Sequence, residues 1–240
     1  VILVGFGGAA AGGYLIYSMA SGAPEVSIDA FESPESSLIL DRNNNVIAEI
    51  GYQKRSNVTY EDLPNSLIDA LVSIEDSRFF EHTGFDLVRF TKAMLENVMA
   101  TLKAGRIVFA QGGSTLTMQM IDVTHVTTTQ DQNVIQKLIA KVQEIFMALD
   151  AESYMSKEAI LTSYLNNINF GGPARGIQKG AQYYFGKDIS EVNLSEAAFL
   201  AGVINAPNAY NPYLNYENAV ARRNNALQLM LNHGYISETE

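Results

Sequence analysis

Glu75 and Asp76 are adjacent acids at positions where a helix would place apolar residues. The spacing predicts a helix over residues 64–80, opened by Pro64, which suits a first helical turn. Leu67, Leu71 and Phe79 fall at i, i+4 and i+12, and Glu75 takes the vacant i+8 place. Ile68, Val72 and Phe80 form the neighbouring stripe, which Asp76 enters. A carboxyl buried beside aromatic rings has a raised pKa, which turns a glutamate into a proton acceptor near neutral pH. The plainer alternative is a helix ending in a polar cap, with the acids bonding backbone amides.

Two further groups could do chemistry. Gln111, Gly112, Gly113, Ser114 and Thr115 precede an apolar-periodic run that includes Gln119. That pattern reads as a helix N-terminus with Ser114 as cap, where free amides and the helix dipole favour an anion. It also reads as a plain turn and cap, and it is not a Walker loop, because no lysine follows at the required place. Lys137, Lys141 and Glu144 share one face of a helix over residues 134–152. On spacing alone this is a solvated salt-bridge face worth about 0.2–0.5 kcal/mol per pair.

The elements that must position these residues follow from composition and periodicity. The chain has 240 residues, 47% hydrophobic and 18% charged, which excludes a disordered chain. Its net charge of -10 argues against a general nucleic-acid binder and makes any anion site depend on a local cluster of cations. With no cysteine, disulfides, Cys-zinc sites and thiol nucleophiles are excluded. Residues 1–20 carry no charge and are long enough for a membrane-spanning helix. The alternative there is a signal-peptide core with a cleavage site at residues 18–23. Residues 21–36 read as a stalk, and residues 37–41 and 46–50 as a hairpin around an Asn-rich turn. Residues 122–133 read as a mobile loop.

Ile135, Leu138, Val142, Ile145 and Leu149 are the expected core stripe of the 134–152 helix. Residues 156–167 form a further helix with Ser156 as cap, and Asn193 with Glu196 offers a capping box before an apolar helix. Residues 97–109 mix large apolar side chains with Lys103 and Arg106, which suits either a membrane interface or a loop folded on the core. His82 reads as a backbone-bonded structural residue, His125 and His233 as surface residues, and no metal-ligand cluster is visible.

Taken in order, four segments carry a resemblance: residues 75–84 (EDSRFFEHTG), 112–119 (GGSTLTMQ), 141–144 (KVQE) and 157–166 (KEAILTSYLN). They resemble the ordered motifs of the peptidoglycan glycosyltransferase domain, glycosyltransferase family 51, found in class A penicillin-binding proteins and monofunctional transglycosylases. Similarity continues through residues 181–187, 194–203 and 211–212, and covers roughly residues 36–237. The resemblance implies a mainly α, lysozyme-like domain with head and jaw lobes over residues 37–240, the jaw insertion at about 97–133. It implies polymerisation of lipid II into β-1,4 glycan strands with inversion, undecaprenyl pyrophosphate leaving. Glu75 falls on the family's general base and Glu144 on its second carboxylate. Lys141 and Lys137 would balance pyrophosphate charge. Asp76, Phe80, His82, Gly113, Ser114, Thr115, Gln119 and Asn166 fall on the substrate-binding positions.

The implied setting is the bacterial plasma membrane, with a single span and the catalytic domain on the outer face. The implied partners are lipid II, the growing glycan strand, the membrane and other cell-wall synthesis proteins, with a transpeptidase domain after Glu240. No cofactor is required, and Mg2+ or Mn2+ assistance to the pyrophosphate is left open. The chain departs from the family pattern in its cations. Ala140 stands where an Arg usually precedes the Lys of the third motif, Asp122 where a Lys follows the second, and Met118 precedes Gln119 where a Gln pair is usual. Arg106, Lys103, Lys137 or a divalent metal would have to compensate. Two alternatives follow: a lysozyme-like enzyme that cleaves glycan, and a catalytically weakened glycan- or lipid-binding scaffold.

Overall fold

The structure is a computed structural model that describes residues 13–27, 31, 37–50, 57–104, 112–125 and 132–240. Two compact units divide the chain: Val1–Ala30 with His82–Ser156, and Phe31–Glu81 with Lys157–Glu240. Helices dominate both, as expected.

In the first unit the helices are α2 (Leu87–Ala104), α3 (Leu116–His125) and α4 (Val134–Tyr154), α1 (Asn65–Glu75) belonging to the second unit. Residues 13–20 are also helical, and the Gln143 amide donates to the Met19 carbonyl at 3.2 Å. Among the described residues no helix is long and apolar enough to cross a membrane. Most of the expected span, residues 1–12, lies outside them. α4 opens with a reciprocal capping box: the Gln136 N–H donates to Asn133 Oδ1 and the Asn133 N–H to Gln136 Oε1, each at 2.9 Å. α3 packs on α4.

The core stripe of this helix differs from expectation. Ile135, Leu138 and Leu149 are exposed, at 67%, 56% and 41%, whereas Ala140, Glu144, Met147, Ala148 and Ala151 are buried. Small residues on that face let neighbouring backbone approach closely. Gly84, at φ +78°, lies so near α4 that a Cβ there would meet the Ala148 carbonyl oxygen at 2.6 Å. Periodicity found the apolar stripe, but alanine spacing chose the packed one. The expected loop also begins later, because residues 122–125 continue α3; residues 126–131 lie outside the description. Residues 97–104 are the last turns of α2, with Val98, Met99 and Leu102 exposed, while Arg106 lies outside the described residues.

In the second unit the expected hairpin forms. β1 (Ser37–Leu40) pairs antiparallel with β2 (Val46–Ile50). Its turn is held by the Asp41 carboxylate, which accepts the N–H groups of Asn43 at 2.7 Å and Asn45 at 2.8 Å, with Asn44 at φ 63°. α1 (Asn65–Glu75) packs on α7 (Leu194–Val203) and α8 (Tyr216–Asn232). α5 (Lys157–Asn167) is followed by a short hairpin of β3 (Asn169–Gly171) and β4 (Ala174–Arg175), then α6 (Ile177–Phe185). The Asn193–Glu196 capping box at α7 is present as expected.

The expected helix over residues 64–80 is shorter than its periodicity. Pro64 sits at the N-cap, α1 ends at Glu75, and Asp76 leaves helical geometry at φ −157°, ψ 76°. Phe79 and Phe80 therefore belong to the following turn. Phe79 is fully buried, but Phe80 is 51% exposed, so it is not part of an apolar helical stripe.

Candidate active site

Two constellations carry chemistry, one in each unit. In the second, Glu75 closes α1 and Asp76 caps it, its N–H donating to the Val72 carbonyl at 3.0 Å. Both acids are buried, as the sequence predicts, at 7% and 1% exposure. In the turn that follows, the Phe79 N–H donates to the Asp76 carbonyl at 2.9 Å, and the Lys157 ammonium lies 4.3 Å from the Phe79 ring centroid. Tyr164, fully buried on α5, has its hydroxyl pushed well above the ordinary tyrosine range by burial and then by the Glu75 charge. A buried carboxylate needs a partner. Arg222 on α8 supplies it: its Nη2 donates to Glu75 Oε1 at 3.5 Å.

Arg222 is anchored at two further points. Its Nε donates to the Gly202 carbonyl at 3.2 Å, and its guanidinium lies 5.4 Å from the Tyr210 ring centroid. Gly202 makes room for it, because a Cβ there would stand 3.0 Å from Arg222 Cγ. Sequence reasoning missed this residue. Arg222 lies about 150 positions from Glu75, in a polar helix whose spacing marks no site.

In the first unit, Ser114, Lys141 and Glu144 come together. The Lys141 ammonium donates to Ser114 Oγ and to Glu144 Oε1, both at 2.6 Å. Glu144 is 3% exposed. Burial holds its carboxyl above the usual range, the Asp122 charge pushes the same way, and Lys141 opposes both. The Lys141 side chain is 41% exposed, so its remaining donor capacity can reach a ligand. What spacing alone reads as a solvated salt-bridge face is therefore a lysine bridging a hydroxyl and a buried carboxylate.

The cap is not where the sequence places it. Thr115, not Ser114, caps α3: its hydroxyl accepts the Met118 N–H at 3.2 Å and donates to the Gly84 carbonyl at 2.6 Å. That releases Ser114 for Lys141. Gly113 lets this strand of backbone run against α2, since a Cβ there would meet the Phe90 ring at 3.2 Å. Gln119 is half-buried on α3. Lys137 is exposed one turn before Lys141 and makes no ion pair among the described residues. His82 is buried. His125 is half-buried rather than a surface residue, burial lowers its pKa, and its Nδ1 lies 2.8 Å from the Thr124 hydroxyl. His233 is exposed.

Asn166, in the second unit, spends its amide on backbone. Its Oδ1 accepts the Val58 N–H at 3.0 Å and its Nδ2 donates to the Val58 carbonyl at 2.9 Å. It pins Val58 as a strand partner would. Ala140 is buried and supplies no cation, and Asp122 is exposed. Among the described residues no cluster of three or more His, Cys, Asp or Glu could hold a metal ion.

Comparison with known proteins finds one family model, described as Transglycosylase, matching residues 43–231. Penicillin-binding protein 1A of Streptococcus pneumoniae (strain ATCC BAA-255 / R6) is 39% identical over 226 residues, 94% of this chain and 30% of that protein. Penicillin-binding protein 1A/1B of Bacillus subtilis (strain 168) is 38% identical over 226 residues, 92% of this chain and 23% of that protein. A crystal structure of penicillin-binding protein 1A from Haemophilus influenzae aligns with 87% of this chain and 20% of its own, at 24% identity and a TM-score of 0.44. The chain thus spans less than a third of the length of these relatives.

Proposed function

This chain belongs to the transglycosylase family, and we propose on that premise that it is a membrane-anchored peptidoglycan glycosyltransferase. It polymerises lipid II by inverting transfer: the acceptor 4-hydroxyl attacks the donor anomeric carbon, a β-1,4 bond forms, and undecaprenyl pyrophosphate departs. The observation that carries the reading is a buried glutamate with its own cation, Glu75 with Arg222 at 3.5 Å. In this scheme Glu75 takes the hydroxyl proton as the bond forms.

A pyrophosphate leaving group departs as a stabilised anion, so it needs cations more than a strong acid. Lys141, held at 2.6 Å by Ser114 and Glu144, supplies one, and Lys137 a second. Mg2+ or Mn2+ assistance remains a proposal. Among the described residues, the oxygen ligands fixed beside Lys141 are one hydroxyl and one carboxylate, so a divalent ion would rely on the pyrophosphate for most of its ligands.

The finer setting is also proposed: a lysozyme-like head and jaw, anchoring by the charge-free residues 1–20, and an active domain on the outer face of the plasma membrane with a transpeptidase domain following. What supports a membrane setting is α2, where Leu95, Val98, Met99 and Leu102 are at least 49% exposed, with Lys103 in the last turn. Incubating the chain with lipid II tests the function. Longer glycan is the expected product, with yield compared with and without Mg2+. No polymer, but soluble fragments from intact cell wall, would establish the cleaving alternative. Neither product would establish the scaffold.

A further inference from the structure

A pocket of about 160 Å³ opens in the second unit, where the end of α6 meets the first turns of α7 and α8. Its walls are aromatic. Phe199 packs edge-on against Tyr184 and Phe185, with centroids 4.9 Å and 5.6 Å away. Tyr184 is a fixed wall, because its hydroxyl donates inward to the Phe170 carbonyl at 2.6 Å, and burial pushes it up to about 12. Tyr216 stands at the mouth, 70% exposed. Outside the pocket the aromatic surface continues in Tyr213, 65% exposed and stacked on Tyr184 at 14°.

The polar lining is as particular as the walls. The Glu196 carboxylate is already answered by Lys187 at 2.8 and 2.9 Å and by the Asn193 N–H at 2.9 Å. Arg223 is not: it donates to the neutral Asn224 side chain and makes no ion pair among the described residues, in a chain of net charge -10. An acyl chain would strand that guanidinium against hydrocarbon. A cationic ligand would meet Arg223, and the one acid of the lining, Glu196, is already paired with Lys187. A helix, about 10–12 Å across, would not enter a pocket of about 160 Å³. A pyranose ring satisfies every element. Its C–H face covers an aromatic ring, while its hydroxyls and acetamido group meet the donor fork of Arg223 and the hydroxyl of Ser195.

We propose that this pocket is a saccharide-binding site separate from the Glu75 carboxylate. It takes one N-acetylhexosamine unit of a glycan strand, with the next ring lying over Tyr213. The choice of an N-acetylhexosamine polymer rests on the glycosyltransferase reading above; the preference for a sugar ring rests on the pocket alone. A strand held there stays on the protein between additions, so the site governs product length rather than the rate of a single transfer.

The test is an amide NMR titration of the chain, in detergent, with the N-acetylglucosamine tetramer. Saturable shifts are expected at residues 184–185, 195–199 and 216–223. Tyr216→Ala and Arg223→Ala are each expected to weaken binding about tenfold, and Tyr216→Phe to bind like the parent. On lipid II, Tyr216→Ala should keep the parent's initial rate and make shorter strands. Unmoved amides at these helices, or a Tyr216→Ala variant that binds like the parent, overturn the proposal. Saturable shifts there with an acidic tetrapeptide but none with the sugar overturn it in favour of a peptide site. A parent that binds the tetramer here yet makes no polymer leaves the pocket standing and removes the glycosyltransferase reading. A parent that polymerises while these amides stay unmoved removes the pocket alone.

Discussion

The two units treat apolar surface in opposite ways. In the second, α7 buries seven of its ten residues and α1 seven of eleven. In the first, α2 buries one residue of eighteen and leaves Leu87, Val88, Met94, Leu95 and Leu102 more than half exposed. The functional groups differ in step. Glu75 sits in dense packing, where desolvation is costly and a cation must be built in, so Arg222 is fixed by a carbonyl and by a ring. Lys141 sits where its charge is part-exposed, oriented by two hydrogen bonds and still able to meet a ligand. Packing holds the Glu75 carboxylate in place, and a short polar network holds the Lys141 ammonium.

The contrast can be broken or sharpened by substitution, taken here from the largest expected effect. Glu75→Gln should cut lipid II polymerisation by about 10²–10⁴-fold while leaving the unfolding transition near the parent's. A loss under tenfold would remove Glu75 as the base. Leu71→Ala, at a position with no exposed surface, should cost about 2–5 kcal/mol in urea unfolding. Arg222→Ala should lower kcat about 10–100-fold with KM little changed, because it acts through Glu75 rather than on substrate. Arg222→Lys should recover only part of that loss, since an ammonium cannot reach the carboxylate and the Gly202 carbonyl in the same planar fork. An equal fall in kcat and stability would reduce Arg222 to a packing role.

Glu144 tests the pH behaviour of the first unit. Its folded carboxyl is held above the ordinary value of 4.5 by burial, so the protonated form is favoured on folding. The associated stability is present below pH 4.5 and is lost as pH rises through the raised folded value. Parent and Glu144→Gln compared by urea unfolding across that window should diverge, the parent losing more stability with rising pH. Parallel curves would mean that Lys141 cancels the burial effect. The smallest effect is expected at Met99→Ala on exposed α2, within about 0.5 kcal/mol of the parent in unfolding, against the large cost at Leu71. A core-sized cost there would show that α2 is covered.

Legibility varied between elements for identifiable reasons. Signals that act within a few residues read correctly. The Asn193–Glu196 capping box, the Asp41–Asn45 turn and Pro64 at the head of α1 all stand where the sequence places them. The burial of Glu75 and Asp76 was also legible, because both fall in phase with the buried Leu67–Leu71 and Ile68–Val72 stripes. Misreadings came where two local solutions compete. Ser114 and Thr115 are equally good caps, and the Gly84 carbonyl selected Thr115. On α4 the larger apolar stripe lost to Ala140, Ala148 and Ala151, because close backbone approach rewards small side chains over hydrophobic bulk. Helical periodicity also carried α1 past its end, since the two phenylalanines of the following turn happen to continue its phase.

By itself the sequence determined the helical class, the ordered motifs that mark the family, the charge-free residues 1–20 and the burial of Glu75 and Asp76, all of which depend on residue type and short spacing. Only the tertiary structure decided which cation belongs to which acid. Arg222 reaches Glu75 across 147 positions, and Lys141 turns from a helical surface charge into a bridge between Ser114 and Glu144. An ion pair inside a fold is set by which helices pack together. That choice is made by the summed burial of many side chains, so no short stretch of sequence encodes it.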